Sequence, residues 1–336
     1  MRIGINGFGR MGRLALRAGW ASEELEFVAL NEPHARAEAL ALLLEFDSVQ
    51  GRWDVPCRED GEGALRIGDR SLPLRASTDP GAIDWRALEV DLVLECSGRF
   101  RTTASLRPHL EAGAERILVS APVKDGPPDV VYGVNDRDVD FANEPIVTAA
   151  SCTTNCVAPL VRVLQDGLGI ERGMFTTIHD PTNTQRVVDA PHADPRRARS
   201  ALTNLIPTST NSATAVTRIV PELAGKLDSV AVRAPVLNAS LADCVFQVAQ
   251  RTDVEEVNGL LEAASQDGPL AGILGYETRP LVSSDFAGDP RSAIVDARST
   301  RVTDDTLVKV LAWYDNEWGY ANRMVDLLKR IASARS

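Results

Sequence analysis

Gly7-Phe8-Gly9-Arg10-Met11-Gly12 constrains this chain more than any other six residues. The spacing is G-x-G-x-x-G. It follows a strand-like run at 2–6 and opens a stretch whose apolar spacing predicts a helix over 10–20. Glycines allow a tight turn there and let a pyrophosphate approach the backbone N–H groups at the helix N-terminus. Residues 25–31 predict the next strand, and Glu32 closes it. A carboxylate at that place accepts from adenosine ribose hydroxyls and repels a 2′-phosphate, which favours NAD over NADP, with Arg36 the one nearby cation that argues otherwise. Ser97-Gly98 and Ser120-Ala121-Pro122 end later strand-like runs and are placed to line the same crevice.

The rest of the first half alternates in the same way. A helix is predicted over 37–46, a hairpin over 64–77, and strands over 91–96, 116–120, 130–134 and 145–150. Short, nearly continuous apolar strands between helices read as a parallel sheet covered on both faces, a Rossmann-type arrangement. Beyond Cys152 the strands lengthen and alternate, at 174–179, 230–236, 240–249 and 307–314. That pattern suits an α+β domain with a largely antiparallel sheet and helices on one face. The fold class expected is therefore α/β. Residues 1–151 form a dinucleotide-binding domain, 152–316 a catalytic domain, and a C-terminal helix at 317–336 joins the first. The stretch 182–206 has little periodicity and reads as a long ordered loop, which in a compact domain is usually functional.

A net charge of −11 leaves no basic field for nucleic acid or an acidic membrane, so no nucleic-acid partner is expected. No apolar run reaches the ~18 residues of a membrane span, so no membrane insertion is expected, and the chain enters fold sequence directly from Met1, pointing to the cytoplasm. The five cysteines, at 57, 96, 152, 156 and 244, make no C-x-x-C pair, so neither a metal site nor a redox dithiol is expected.

Cys152 is set apart from the other four. It follows the strand-like run at 145–150 and precedes an amphipathic run with Val157, Leu160, Val161 and Leu164 at helical spacing. A helix N-terminus favours the thiolate, the nucleophilic form. Hydroxyls at Ser151, Thr153 and Thr154 would serve an anion beside the sulfur better than they would a core thiol. A reactive thiol near a nicotinamide suggests aldehyde oxidation through a thiohemiacetal and a thioester. His179, at the end of the strand 174–179, is the candidate base; His34, His109 and His192 lie in loop-like or helix-surface contexts. Thr182, Thr184, Arg233 and the turn Thr208-Ser209-Thr210-Asn211 are candidate anion donors. Arg196, Arg197 and Arg199 read as loop packing or subunit contacts.

These residues carry a resemblance. The chain resembles the phosphorylating glyceraldehyde-3-phosphate dehydrogenases over essentially its full length, through Ile5-Asn6-Gly7-Phe8-Gly9-Arg10, Ala150-Ser151-Cys152-Thr153-Thr154-Asn155-Cys156, Pro221-Glu222-Leu223, Gly225-Lys226-Leu227 and Trp313-Tyr314-Asp315-Asn316-Glu317-Trp318-Gly319-Tyr320. The resemblance implies Cys152 as nucleophile and His179 as base. It implies Thr182, Thr184 and Arg233 around the substrate phosphate, and Ser151, Thr153, Thr210 and Arg233 around the attacking oxyanion. Cofactor contacts would come from Asn6, Gly7, Phe8, Gly9, Arg10, Met11, Glu32, Ser97, Ser120, Asn316 and Tyr320, with Asn316 on the nicotinamide carboxamide. It also implies a homotetramer.

Departures from the family pattern are Asp180 in place of serine or alanine, Asn211 in place of glycine beside the oxyanion site, and Glu32 in place of aspartate. Phe46-Asp47-Ser48-Val49, Thr177-Ile178-His179-Asp180, Thr182-Asn183-Thr184-Gln185, Asp189-Ala190-Pro191-His192 and Gly275-Tyr276-Glu277 are similar to the branch associated with arsenic-resistance permeases. That likeness implies arsenate as acceptor, 1-arseno-3-phosphoglycerate as product and functional coupling to an arsenical permease. The competing readings are an erythrose-4-phosphate dehydrogenase, which shares the Asn-Glu pair and the Arg-Arg-x-Arg loop, and a non-enzymatic nucleotide-sensing protein.

Overall fold

A computed structural model describes residues 1–61 and 63–334. The chain divides into two compact units, one of residues 1–151 with those from Ala321 onward, the other Cys152–Tyr320.

The first unit is built on an eight-stranded sheet. Its elements are β1 (Arg2–Asn6), α1 (Arg10–Gly19), β2 (Glu26–Asn31), α2 (Ala37–Glu45), β3 (Cys57–Glu59), β4 (Ala64–Ile67), β5 (Arg70–Arg75), β6 (Leu92–Glu95), α3 (Thr103–Glu111), β7 (Arg116–Val119) and β8 (Ile146–Thr148). The strand order is β3-β4-β5-β2-β1-β6-β7-β8. The run from β5 to β8 is parallel, and β3 and β4 extend it as an antiparallel meander. Ile3, Ile5, Ala29, Leu30, Leu92, Val93, Leu94 and Leu118 are fully buried, as expected when both sheet faces are covered. Strand order reverses between β1 and β6, and at such a point the loops after the strands part to leave a crevice. Helix α3 starts with a capping box in which Thr102 and Ser105 satisfy each other's backbone N–H.

The strand expected at 130–134 is absent. Asp129 bridges Thr148 and the chain then turns. Asn135 Oδ1 accepts from Val131 N and Asp136 Oδ1 from Gly133 N, so side-chain acceptors capture the donors a strand would need.

The second unit holds α4 (Cys152–Leu168), β9 (Ile170–His179), β10 (Ile206–Thr208), α5 (Ser212–Ile219), β11 (Leu227–Arg233), β12 (Ser240–Val248), α6 (Val254–Gln266), β13 (Leu274–Glu277), β14 (Ala293–Asp296), β15 (Arg301–Thr303), β16 (Leu307–Tyr314) and the first turn of α7 (Trp318–Ser333). Its sheet runs β10-β11-β9-β12-β16-β14-β13, with β15 on β16. Most pairs are antiparallel, as the alternation predicts; β9–β11 and β13–β14 are parallel. Along β12, alternate residues from Ser240 to Val248 are buried, with α4 packed on the strand, while Leu241, Asp243, Val245 and Gln247 face outward. The stretch 182–206 is irregular apart from a bridge between Arg186 and Ser200 and the start of β10. Ion pairs Arg197–Asp194 and Arg199–Asp189 tie it to itself.

Candidate active site

In the first unit, the loop after β1 is shaped for a dinucleotide. Gly7 has φ +91°, and a Cβ there would lie 2.4 Å from Ser97 N. A Cβ on Gly12 would lie 2.4 Å from Gly7 O. These two glycines are therefore demanded by backbone approach. Gly9 precedes α1 with open space before it, leaving the helix N-terminus accessible to an anion. The crevice is lined by Gly7, Gly9, Asn31, Glu32, Ser97 and Phe100, among others. Glu32 reaches back into the loop: its Oε2 accepts from Phe8 N at 3.0 Å and its Oε1 from His34 N at 3.0 Å. Phe8 itself is buried, Met11 lies half-buried on α1, and Arg10 pairs with Asp47. Ser120 follows β7 and donates its N–H to Glu95 O.

Asn6 stands beneath the crevice. Its amide donates to Glu95 Oε2 and accepts from Asn31 Nδ2, while Ser97 N donates to Glu95 Oε1 at 2.7 Å. His109 belongs to this network, which corrects the helix-surface reading of that residue. It is completely buried, with Nε2 3.1 Å from Glu95 Oε2 and Nδ1 accepting from Trp85 Nε1 at 3.0 Å. The signal available in the sequence was Leu106 and His109 at i, i+3, which places both on the inner face of α3.

In the second unit, register decides which side chains meet. Arg233 pairs with His179 across β11 and β9, and Ser240 pairs with Tyr314 across β12 and β16. With Leu241 opposite Ile178, all four residues fall at one end of the sheet. Cys152 is the first residue of α4, where the unbonded N–H groups of the first turn gather. Its Sγ lies 3.5 Å from His179 Nε2. The imidazole ring meets the Tyr314 ring edge-on at 6.0 Å, and the Tyr314 hydroxyl bonds Thr153 Oγ1 at 3.1 Å.

Arg233 is no outward solvated charge. Its Nη1 lies 2.6 Å from His179 Nδ1 and donates to Asp180 O at 3.0 Å. Burial alone pulls the His179 pKa down, but Asp180 and then Cys152 outweigh it, and the group is raised to about 9 against the repulsion of Arg233. Burial pushes the Cys156 thiol well up, so the second cysteine of the helix stays protonated.

The remaining predicted residues make local bonds. Thr182 Oγ1 bonds Thr184 Oγ1 and Gln185 Oε1, each at 3.0 Å, and both threonines are exposed. Thr210 bonds Ser212, and the exposed Asn211 precedes α5 without capping it through its side chain. Asn316 accepts from Ser240 Oγ at 2.9 Å, and Tyr320 is buried on α7. Ser151 is half-buried at the end of the first unit. Asp180, Ser240 and Tyr314 were absent from the expected site. Only the alternation of their strands, which turns Ser240 and Tyr314 to the helix-covered face, could have signalled two of them. Among the described residues, no group of three or more His, Cys, Asp or Glu is arranged to hold a metal ion.

Residues 1–103 match the family model for the glyceraldehyde 3-phosphate dehydrogenase NAD binding domain, and 151–316 match that of the C-terminal domain. The chain is 57% identical to glyceraldehyde-3-phosphate dehydrogenase 3 of Nostoc sp. over 332 residues, covering 99% of this chain and 98% of that protein. It is 49% identical to the Pseudomonas aeruginosa glyceraldehyde-3-phosphate dehydrogenase over 338 residues, with 100% and 99% covered. Identity to the Bacillus subtilis glyceraldehyde-3-phosphate dehydrogenase 1 is 46% over 332 residues, with 99% and 98% covered.

Proposed function

Because the chain belongs to the glyceraldehyde-3-phosphate dehydrogenase family of NAD-dependent oxidoreductases, we propose that it oxidises glyceraldehyde 3-phosphate through a thioester on Cys152 and passes the acyl group to an inorganic oxyanion. The observation that carries this reading is the 3.5 Å approach of Cys152 Sγ to His179 Nε2 at the head of α4. Cys152 adds to the aldehyde carbon. The Nε2 of His179 then takes the hydroxyl proton of the thiohemiacetal, and a thioester remains on the sulfur. NAD, when bound, supplies the hydride acceptor. Arg233 and the N–H groups at the start of α4 favour negative charge on the reacting oxygens. Thr182, Thr184 and Arg233 hold the substrate phosphate in this reading; Ser151, Thr153, Thr210 and Asn211 serve the attacking anion.

Arsenate and phosphate are tetrahedral anions of similar charge and use the same donors. The motifs shared with the permease-associated branch favour arsenate, with the arsenylated product handed to an arsenical permease. Asn211 is the residue that distinguishes this anion site from one with glycine. The test is NADH formation from glyceraldehyde 3-phosphate with phosphate and arsenate titrated separately. A several-fold higher kcat/KM for arsenate is expected, while equal or phosphate-favouring values would return the enzyme to glycolysis. Turnover indifferent to both anions would favour erythrose 4-phosphate with water as acceptor. Cys152→Ser is expected to abolish acylation and keep NAD binding; near-native turnover would end the thioester mechanism.

The family resemblance also suggests a homotetramer. Met174, Ile178, Val230 and Leu307 stand exposed on the outward face of the second sheet, and a groove of about 550 Å³ runs there between Met174, Leu227, Val245 and Leu307. Such a face favours burial against another copy. Five free cysteines suit a reducing, cytoplasmic setting.

A further inference from the structure

His179 Nδ1 has three groups in reach. Asp180 Oδ1 lies 2.6 Å away, the Asp180 carbonyl 2.9 Å, and Arg233 Nη1 2.6 Å. They make opposite demands. A guanidinium N–H can bond Nδ1 only if that nitrogen carries no proton, whereas the two oxygens can bond it only if it does. A neutral imidazole holds one ring proton, so this contest decides what faces Cys152. If Arg233 wins, the proton sits on Nε2, points at the sulfur, and the ring cannot accept another. If Asp180 wins, Nε2 is bare and can act as a base.

Three observations favour Asp180. Its side chain is 3% exposed, and Oδ1 is buried without an aligned hydrogen bond, at ion-pair distance from the ring nitrogen. A carboxylate oxygen so buried is costly unless a proton reaches it, and contacts of this kind align when a site closes on its substrate. Arg233 has the Asp180 carbonyl as another acceptor at 3.0 Å and can release Nδ1. The Asp180 backbone is tethered as well, its N–H reaching Ser240 Oγ at 3.4 Å.

We propose that Asp180 is a positioning residue for this reaction, drawing the ring proton of His179 to Nδ1 so that Nε2 faces Cys152 as a base. The proposal rests on the reading of Cys152 and His179 as the reacting pair. When Cys152 adds to the aldehyde carbon as the thiolate, its charge passes to the carbonyl oxygen, which takes the proton of a protonated Nε2 to become the thiohemiacetal hydroxyl, and the ring is left neutral with Nδ1–H held by Asp180. In the next step the O–H bond of the thiohemiacetal breaks, its proton goes to Nε2, the carbon gives up hydride to the acceptor that bound NAD would supply, and the carbonyl of the thioester forms. The resulting imidazolium has Nδ1–H on Asp180. The charged and titratable groups facing the ring are Cys152, Asp180, Arg233 and, edge-on, Tyr314, with Arg197 acting on Arg233.

Asp180→Asn and Asp180→Ala test this by single-turnover NADH formation across pH 6–10, with NAD affinity and thermal melting as controls of folding. A carboxylate beside the ring raises the pKa of His179, so its loss is expected to move the limb on which His179 must be neutral to lower pH by about one unit or more. The plateau rate is expected to fall about tenfold or more, as a weaker base takes the proton. A limb that stays in place in a folded variant overturns the proposal. A limb that persists in His179→Gln overturns the parent reading instead. Long-range ¹H–¹⁵N correlation of the four histidine rings in the native enzyme reads the tautomer directly. With the ring neutral, above its raised pKa of about 9, a proton on Nδ1 of His179 is expected; a neutral ring with its proton on Nε2 alone overturns the proposal without any variant.

Discussion

At the scale of single residues, the proposed site rests on contrast among chemically identical groups. Burial pushes Cys57 up to about 11 and Cys96 up to about 12, and holds Cys156 and Cys244 far above the usual thiol range. Only the thiolate is nucleophilic, so these four sulfurs are inert near neutrality. Iodoacetamide at pH 7 is therefore expected to modify one equivalent per chain, on the peptide carrying Cys152, with loss of activity in step. Peptide mapping by mass spectrometry checks this; a second cysteine alkylated at a comparable rate would contradict it. The four histidines divide in the same way. His34 is exposed and His192 lies in a loop, His109 is locked between Glu95 and Trp85, and His179 shares its ring between Cys152, Asp180 and Arg233.

At the scale of elements, each half of the proposed chemistry lies at the end of a strand. The β1–α1 loop needs Gly7 because the chain passes Ser97 with no room for a Cβ and adopts a left-handed φ. Gly7→Ala is expected to cost more than ~2 kcal/mol, from the strained φ together with a backbone shift. It is also expected to weaken NAD binding at least about tenfold, equivalent to ~1.4 kcal/mol. Calorimetric titration with NAD and a thermal melt check both effects, and an unchanged Kd would remove the loop from the binding site. The turn from β8 into α4 shows a different device. Ala150 has φ +55°, and its N–H is held by Thr148 Oγ1, which itself donates to Ala121 O. A buried threonine thus holds the turn that follows β8.

For the whole molecule, the second sheet is lopsided: helices cover one face, and the other presents Met174, Ile178, Val230 and Leu307 to solvent. An apolar sheet face of this kind is stable when paired with its own copy, because like residues then bury each other about a twofold axis. Light scattering is expected to report four chains for the native protein. The double substitution Met174→Glu, Leu307→Glu is expected to reduce that number while the fold of each chain persists by circular dichroism. Tetramers that survive the double substitution would place the interface elsewhere.

Local pattern was enough for much of this protein. Near-continuous apolar strands, glycines before a helix and a closing acid are signals within about thirty residues, the length of one strand–helix–strand unit. The parallel sheet, the nucleotide loop and the helix that begins at Cys152 were legible for that reason. The strand expected at 130–134 failed because Asn135 and Asp136 offered the backbone closer acceptors than a neighbouring strand could. The sequence alone also singled out Cys152 and His179 as candidates, since their types and local settings were distinctive, and the second unit brings their side chains within 3.5 Å. It could not say what surrounds His179. Arg233 reaches that ring through the β9–β11 register and Tyr314 through pairing along β12 and β16, and His109 meets Glu95 across the packing of α3 on the sheet. Those contacts join residues from fourteen to well over a hundred positions apart, so only the tertiary structure, which fixes register and burial together, decides which charge faces which proton.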